Sequence, residues 1–294
     1  MRNPHGLHAR PCAAIVAAVA GLDATVLVRR EGSPAEAGVD ARSVMSLQAL
    51  AVRRGELLLA SITGPQASAA RTALGTLAAN DFGEQLARPG PHTLAEPESP
   101  VHELSLAPAL PPAEPTADQQ PRLETALAAA DGFLEGLAAK VPDGGVTRAV
   151  LWAIRTMLHD PMLEQGFARR IGEGQDAAVA VHQTMTETIA VFEQMANPYL
   201  RERATDLRSL ERLVLRALAS DLDLSLDEVP SGHVLLLDEL DAVTAAQLDP
   251  TGVPMVLVRR ESTHGHGLLV ARDRGIDVHF LAGSQPEGQL GLHA

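Results

Sequence analysis

Apolar and polar positions divide the chain into three stretches. In the first, Ile15, Val16 and Val19 fall at helical spacing within residues 11–20, and Gly21 supplies the stop. A β-branched run predicts a strand at 24–30, and a second strand at 56–63 ends at Gly64. Residues 43–50 read as a short helix that Asp40 or Ser43 caps, and 66–79 as a third helix with Leu74 and Leu77 facing inward. Alternating helices and strands of this kind predict an α+β domain. The second stretch, 89–121, holds nine of the chain's 20 prolines, too many for helices or central strands. It reads as a largely extended, semi-rigid linker.

The third stretch begins as helices at 123–140, 146–159, 175–195 and 198–220. They are punctuated by Gly144, Pro161, Gly172, Gly174 and Pro198, the layout of a bundle with short turns. The period then changes. Strands at 234–237, 253–258 and 278–281 alternate with helices at 243–248 and 266–274, the last closed by Gly275. That order predicts a small parallel α/β unit.

Composition narrows the function classes. The 294 residues are 46% hydrophobic but only 2% aromatic, so the cores are aliphatic and base-stacking platforms are not expected. A net charge of −13 argues against a phosphate-backbone binder, so no nucleic acid is expected as a partner. A single cysteine, Cys12, excludes a disulfide framework and a cysteine zinc site. No apolar run reaches the roughly 20 residues that span a bilayer, and the N-terminus lacks a signal-peptide layout. A cytoplasmic protein without membrane insertion is expected. Charge is uneven: residues 1–90 carry nine Lys/Arg against seven Asp/Glu, and the remainder 15 against 30. A slightly basic head and an acidic body are suited to contact with each other or with partners of similar pattern.

The candidate chemistry begins at His5-Gly6-Leu7-His8-Ala9-Arg10-Pro11, directly before the first helix. His8 then stands at a helix N-terminus, where spare backbone amides and the helix dipole favour an anion. A neutral imidazole is a competent nucleophile toward phosphorus, and Arg10 adds a charged donor for the phosphoryl oxygens. The bland alternative is a surface histidine that caps a helix. His264 and His266, in Glu261-Ser262-Thr263-His264-Gly265-His266-Gly267, again precede an apolar helix. A metal pair there is not expected, because alternate residues diverge on both strand and helix and no third ligand follows. Cys12 and Met157, Met162, Met185 and Met195 read as packing residues.

The Gly-Leu-His-Ala-Arg-Pro run, continued by Ala41-Arg42-Ser43-Val44-Met45-Ser46-Leu47 and Arg54-Gly55-Glu56, resembles HPr, the histidine phosphocarrier of the bacterial phosphotransferase system. That resemblance implies phosphorylation of His8 through Nδ1, with Arg10 as the phosphate-stabilising cation. Ser43 matches a position that a regulatory kinase phosphorylates in some members, although a helix cap is the simpler reading. HPr domains carry a strand before this loop, and only three residues precede Pro4 here. The expectation is a missing first strand and a late start of the sequence.

Asn197-Pro198-Tyr199-Leu200-Arg201-Glu202-Arg203-Ala204-Thr205-Asp206-Leu207-Arg208 and Leu158-His159-Asp160-Pro161-Met162-Leu163 are similar to the helical domain of Enzyme I, which passes phosphate from phosphoenolpyruvate to HPr. Aligning Ala271-Arg272 with that family sets His266 on its reactive histidine, although Glu261 and Ser262 replace two glycines and His264-Gly265 a Thr-Ser pair. The fold implied is an α+β HPr-like open-faced sandwich followed by a helical bundle inserted in a small α/β phosphohistidine domain. Its divisions are 1–88 for the phosphocarrier, 89–121 for the linker, 122–220 for the helical HPr-docking domain and 221–294 for the phosphohistidine domain.

An HPr domain followed by the first half of Enzyme I resembles the DhaM-type phosphotransferase subunit of dihydroxyacetone kinase, without its upstream domain. The implied function is a phosphohistidine relay with catalytic His8 and His266, no cofactor, no metal and no phosphoenolpyruvate site of its own. The implied partners are Enzyme I, HPr and the nucleotide-binding subunit of dihydroxyacetone kinase, or sugar-specific phosphotransferase components. Two alternatives stand beside it: a truncated HPr–Enzyme I fusion for sugar uptake, and a non-catalytic regulator that binds phosphotransferase proteins.

Overall fold

The computed structural model describes residues 6–80, 82, 100–106, 109–113, 118–222, 226, 229–253, 255–260 and 265–281. In chain order its elements are α1 (Ala9–Ala20), β1 (Thr25–Arg30), β2 (Val39–Asp40), α2 (Val44–Ala49), β3 (Leu58–Thr63), α3 (Ala67–Ala79), β4 (Val101–Glu103) and α4 (Gln119–Ala139). There follow α5 (Val146–Leu158), α6 (Pro161–Gly172), α7 (Ala177–Glu193), α8 (Pro198–Arg201), α9 (Arg203–Leu218), β5 (Val234–Leu237), α10 (Ala242–Gln247), β6 (Met255–Val258), α11 (His266–Asp273) and β7 (Asp277–Phe280). The chain forms two compact units, one of Met1–Ala87 with Trp152–Arg170, the other of Arg88–Leu151 with Ile171–Ala294.

In the first unit the sheet order is β2-β1-β3, antiparallel throughout, with Val26 opposite Ile62 and Val28 opposite Ala60. Val26 and Val28 turn inward while Leu27 is exposed, so one face of the sheet is covered and the other open. The core is completed by Ile15, Val19, Met45 and Leu47 from α1 and α2. Of the two inward positions expected on α3, Leu74 and Leu77 are only half-buried, and Ala70 is the buried residue of that helix. The unit also takes in Trp152–Arg170, which the sequence assigned wholly to the helical domain at 122–220.

In the second unit α9 packs against α4, α7 and α10, and α10 packs on α11. The sheet is parallel, in the order β4-β5-β6-β7. Every residue of β5 is buried, as a strand covered on both faces requires. The edge strand β4 corrects the reading of 89–121 as a linker only: Val101, His102 and Glu103 pair with Val234, Leu235 and Leu236. An edge position tolerates the flanking prolines because only one side of the strand must hydrogen-bond. A second correction concerns α6, which the sequence did not predict. Pro161 read as a break, but it stands at the first helical position, where its missing N–H costs nothing. Met157 and Met185 are core residues as expected, whereas Met162 is 40% exposed.

Candidate functional site

His8 caps the N-terminus of α1 in an extended conformation (φ −106°, ψ −176°), and its carbonyl accepts the Cys12 amide at 3.0 Å. The loop before it is fixed by main chain. The Leu7 amide donates to the Val52 carbonyl at 2.9 Å, and Gly6 adopts φ +69°. A Cβ on Gly6 would stand 2.1 Å from the Val52 oxygen, so only glycine allows this approach. His8 is fully buried, and Arg10 lies partly buried in the first turn of α1, two residues on. His5 lies outside the described residues. Cys12 is buried beneath this turn, and burial, with Asp160 nearby, pushes its thiol well above the ordinary value. It is therefore a packing side chain, not a reactive one.

Ser43 caps α2, accepting the Ser46 amide at 2.9 Å. Its hydroxyl also donates to Asp160 at 2.8 Å, and the Met45 amide donates to the same carboxylate at 2.8 Å. The Met162 amide reaches Asp160 at 2.9 Å, so one carboxylate serves the first turns of both α2 and α6. Burial raises the Asp160 carboxyl above its usual range, and hydrogen bonds from Met45, Met162, Ser43 and the Val44 amide only partly offset this.

In the second unit His266 is the first residue of α11 and is 1% exposed. Gly265 precedes it as the helix cap, and Gly267 follows where a Cβ would meet the Leu240 carbonyl oxygen at 1.9 Å. The helix start is thereby pressed against the Leu240–Asp241 main chain. Asp206 Oδ2 lies 2.9 Å from Nδ1 of His266. Arg203 Nη1 lies 2.8 Å from the same carboxylate oxygen, 2.6 Å from Nδ1 and 2.7 Å from Nε2. Arg203 is fully buried and Asp206 is 1% exposed. Burial works to raise the Asp206 carboxyl, but the facing His266 and Arg203 outweigh it and hold it below the ordinary value.

Sequence reasoning missed Arg203 and Asp206 as partners of His266. Their signal is the three-residue spacing on α9, which continues through Ser209 and Arg212. Charges at that spacing read as a solvated face, yet all four residues are buried. Ser209 and Arg212 bind Asp241 at 2.8 and 2.5 Å, and Asp241 caps α10 by accepting the Thr244 amide at 2.9 Å. Glu261, Ser262 and His264, the departures noted around His266, lie outside the described residues. Among the described residues no group of His, Cys, Asp and Glu is arranged to hold a metal ion, and no helix is long and apolar enough to cross a membrane.

Each unit thus sets a buried histidine at the start of a helix, the first in the unit that holds the antiparallel sheet and the second in the unit that holds the parallel one. Residues 1–80 match the family "PTS HPr component phosphorylation site", and residues 71–203 match "PEP-utilising enzyme, N-terminal". The chain thus joins a segment similar to HPr to a segment similar to the N-terminal part of PEP-utilising enzymes.

The same chain is homologous, over nearly all its length, to DhaM-type phosphoryl donor subunits of PEP-dependent dihydroxyacetone kinase. It is 28% identical to that subunit of Pantoea ananatis, covering 99% of this chain and 63% of the relative. It is also 28% identical to that of Escherichia coli K12, covering 99% and 64%. The chain therefore spans less than two thirds of the length of these relatives. A solved structure titled "N-terminal domain of Enzyme 1 - Nitrogen" is 23% identical, with a TM-score of 0.44, over 62% of this chain and 77% of that one.

Proposed function

We propose that this protein is a phosphohistidine relay that takes phosphoryl groups from Enzyme I or HPr and passes them toward a dihydroxyacetone kinase. The observation that carries this reading is the pair of buried histidines, His8 and His266, each opening a helix, in a chain similar to DhaM-type donor subunits over 99% of its length. In this reading residues 1–88 are the carrier, 122–220 the helical docking domain and 221–294 the phosphohistidine domain. The grouping of Trp152–Arg170 with the head and the bonds from Ser43 and Met45 to Asp160 support the docking role.

Each transfer is an in-line displacement. The lone pair of a neutral ring nitrogen forms a bond to phosphorus while the donor's N–P bond breaks and its electron pair returns to the donor imidazole. The helix amides at His8 and the Arg10 guanidinium balance the phosphoryl charge. Both histidines are buried, so each exchange requires its surroundings to open first. A phosphate on Ser43 would set two negative charges against Asp160, which this packing does not accommodate, so the cap is the role assigned to Ser43.

The test is incubation with labelled phosphoenolpyruvate, Enzyme I and HPr, followed by detection of acid-labile label in the wild type, His8→Ala and His266→Ala. Label on both histidine peptides, and its discharge by a dihydroxyacetone kinase subunit with dihydroxyacetone, is the expected result. No label on any form would overturn the relay and favour a silent binder of phosphotransferase proteins.

A further inference from the structure

We infer that Trp152–Arg170 is a built-in cover for the His8 face of the head, and that Asp160 is the latch that holds it closed. The inference rests on the reading of His8 as a phosphoryl carrier and adds the regulation of that site.

The corner between α5 and α6 brings Asp160 to two helix starts of the head at once. On α2 it accepts the Ser43 hydroxyl and the Met45 amide, each at 2.8 Å. On α1 it lies close enough to Cys12 for its charge to act on the thiol. Cys12 is one turn from His8, whose carbonyl accepts the Cys12 amide at 3.0 Å. The latch therefore closes one helical turn from the nucleophile, over a surface in which Leu7, His8, Ala9 and Cys12 are all buried. In sequence, Trp152–Arg170 continues α5 out of the second unit, yet it belongs to the compact unit of the head.

Two features make this contact reversible. The Ser43 and Met45 bonds end on one carboxylate, so they are lost together. Gln48, also on α2, is 0% exposed, and among the described residues neither its Oε1 nor its Nε2 has a hydrogen-bond partner. An amide stranded in this way favours any state in which water reaches α2. Closure thus carries a cost that opening returns. While the cover is closed, His8 meets no outside donor or acceptor, and the surface that carries Asp160 is not open to a second phosphocarrier. The tether keeps the head near its own cover at an effective concentration in the millimolar range, so a separate carrier in dilute solution competes poorly.

The first measurement is independent of phosphoryl transfer. The full chain is treated with diethyl pyrocarbonate, and carbethoxylation of the His8 peptide is followed by mass spectrometry. Asp160→Ala, which leaves every residue of the head unchanged, should raise the rate at His8 about 10-fold, the shift produced by losing one hydrogen bond to a charged group. Asp160→Asn, which keeps an oxygen acceptor, should fall between it and the wild type. Ser43→Asp still caps α2 but sets a second carboxylate against Asp160, and should open the cover from the other side. Continued protection of His266 and slow hydrogen exchange in β1 separate opening from unfolding. A wild-type rate at His8 in Asp160→Ala and in Ser43→Asp would overturn the latch. Should Asp160→Ala fail to fold, Ser43→Asp and the milder Asp160→Asn decide. The second measurement supplies labelled phosphoenolpyruvate and Enzyme I. Asp160→Ala should then be labelled at His8 about 10-fold faster than the wild type, and an equal or slower rate would overturn the proposal. No label at His8 in either chain would instead remove the carrier reading, and carbethoxylation alone would then decide the latch.

Discussion

Gly6 and Gly267 stand where a side chain would collide with a carbonyl oxygen, Val52 in one case and Leu240 in the other. At Gly6 the backbone is also left-handed, so Gly6→Ala should destabilise the first unit by about 1–3 kcal/mol, seen as a lower thermal midpoint. At Gly267 the helix start itself must shift and carry His266 with it. Gly267→Ala should therefore lower His266 labelling about 100-fold, the penalty for an ångström-scale misplacement, while circular dichroism still reports the helices. The buried carboxylates titrate in opposite senses. Asp206 and Asp241 are held low, so their stabilisation is present above the unfolded value of about 3.9 and is lost as pH falls through their lower folded values. Asp160 is held high, so its contribution is present below about 3.9 and is lost as pH rises through its raised value. Asp160→Asn should remove that pH dependence from the first unit and leave acid unfolding of the second unchanged, as followed by hydrogen exchange in each.

Among the elements, the joints are carboxylates at helix starts. Asp160 serves α2 and α6, Asp241 caps α10, and Asp273 receives the Thr147 amide and hydroxyl at 2.9 and 2.6 Å in the first turn of α5. Asp160→Ala leaves the Met45 and Met162 amides without their acceptor. A loss of about 1–3 kcal/mol is expected, with faster hydrogen exchange at those two amides as the check. The strands and helices of the head and of the α/β unit were legible because short β-branched or apolar runs bounded by turn residues, and the 3.6-residue period, both stand out there. Three things were not. The start of α6 was hidden by a proline that both breaks and begins helices, and β4 by prolines that an edge strand tolerates. The charged face of α9 was hidden because single-sequence charge patterns do not distinguish water from a buried counter-charge. His8 and His266 were legible as candidates from their place before helices. Arg203 and Asp206 were not, since 63 and 60 residues separate them from His266 and only the fold brings them together.

At the scale of the whole chain, two histidine modules share one polypeptide. Tethering sets the effective concentration of one for the other in the millimolar range, well above that of separate molecules in dilute solution. If the relay reading holds, exchange of label between His8 and His266 in the intact protein should be independent of protein concentration. In a mixture of His8→Ala and His266→Ala chains it should instead slow in proportion to dilution. A stopped-flow quench at two concentrations separates these outcomes.

The pairing of β4 with β5 also sets an order of events during biosynthesis. Val101–Glu103 leaves the ribosome long before Val234, and residues 104–233 intervene. Through that interval the edge strand has no partner, while the helices between can fold on local contacts alone. The parallel sheet closes last, after its longest loop has been paid for in chain entropy. A nascent chain stalled before Val234 would hold a finished helical block with an unsatisfied strand at its base, a natural point for chaperone capture or proteolysis.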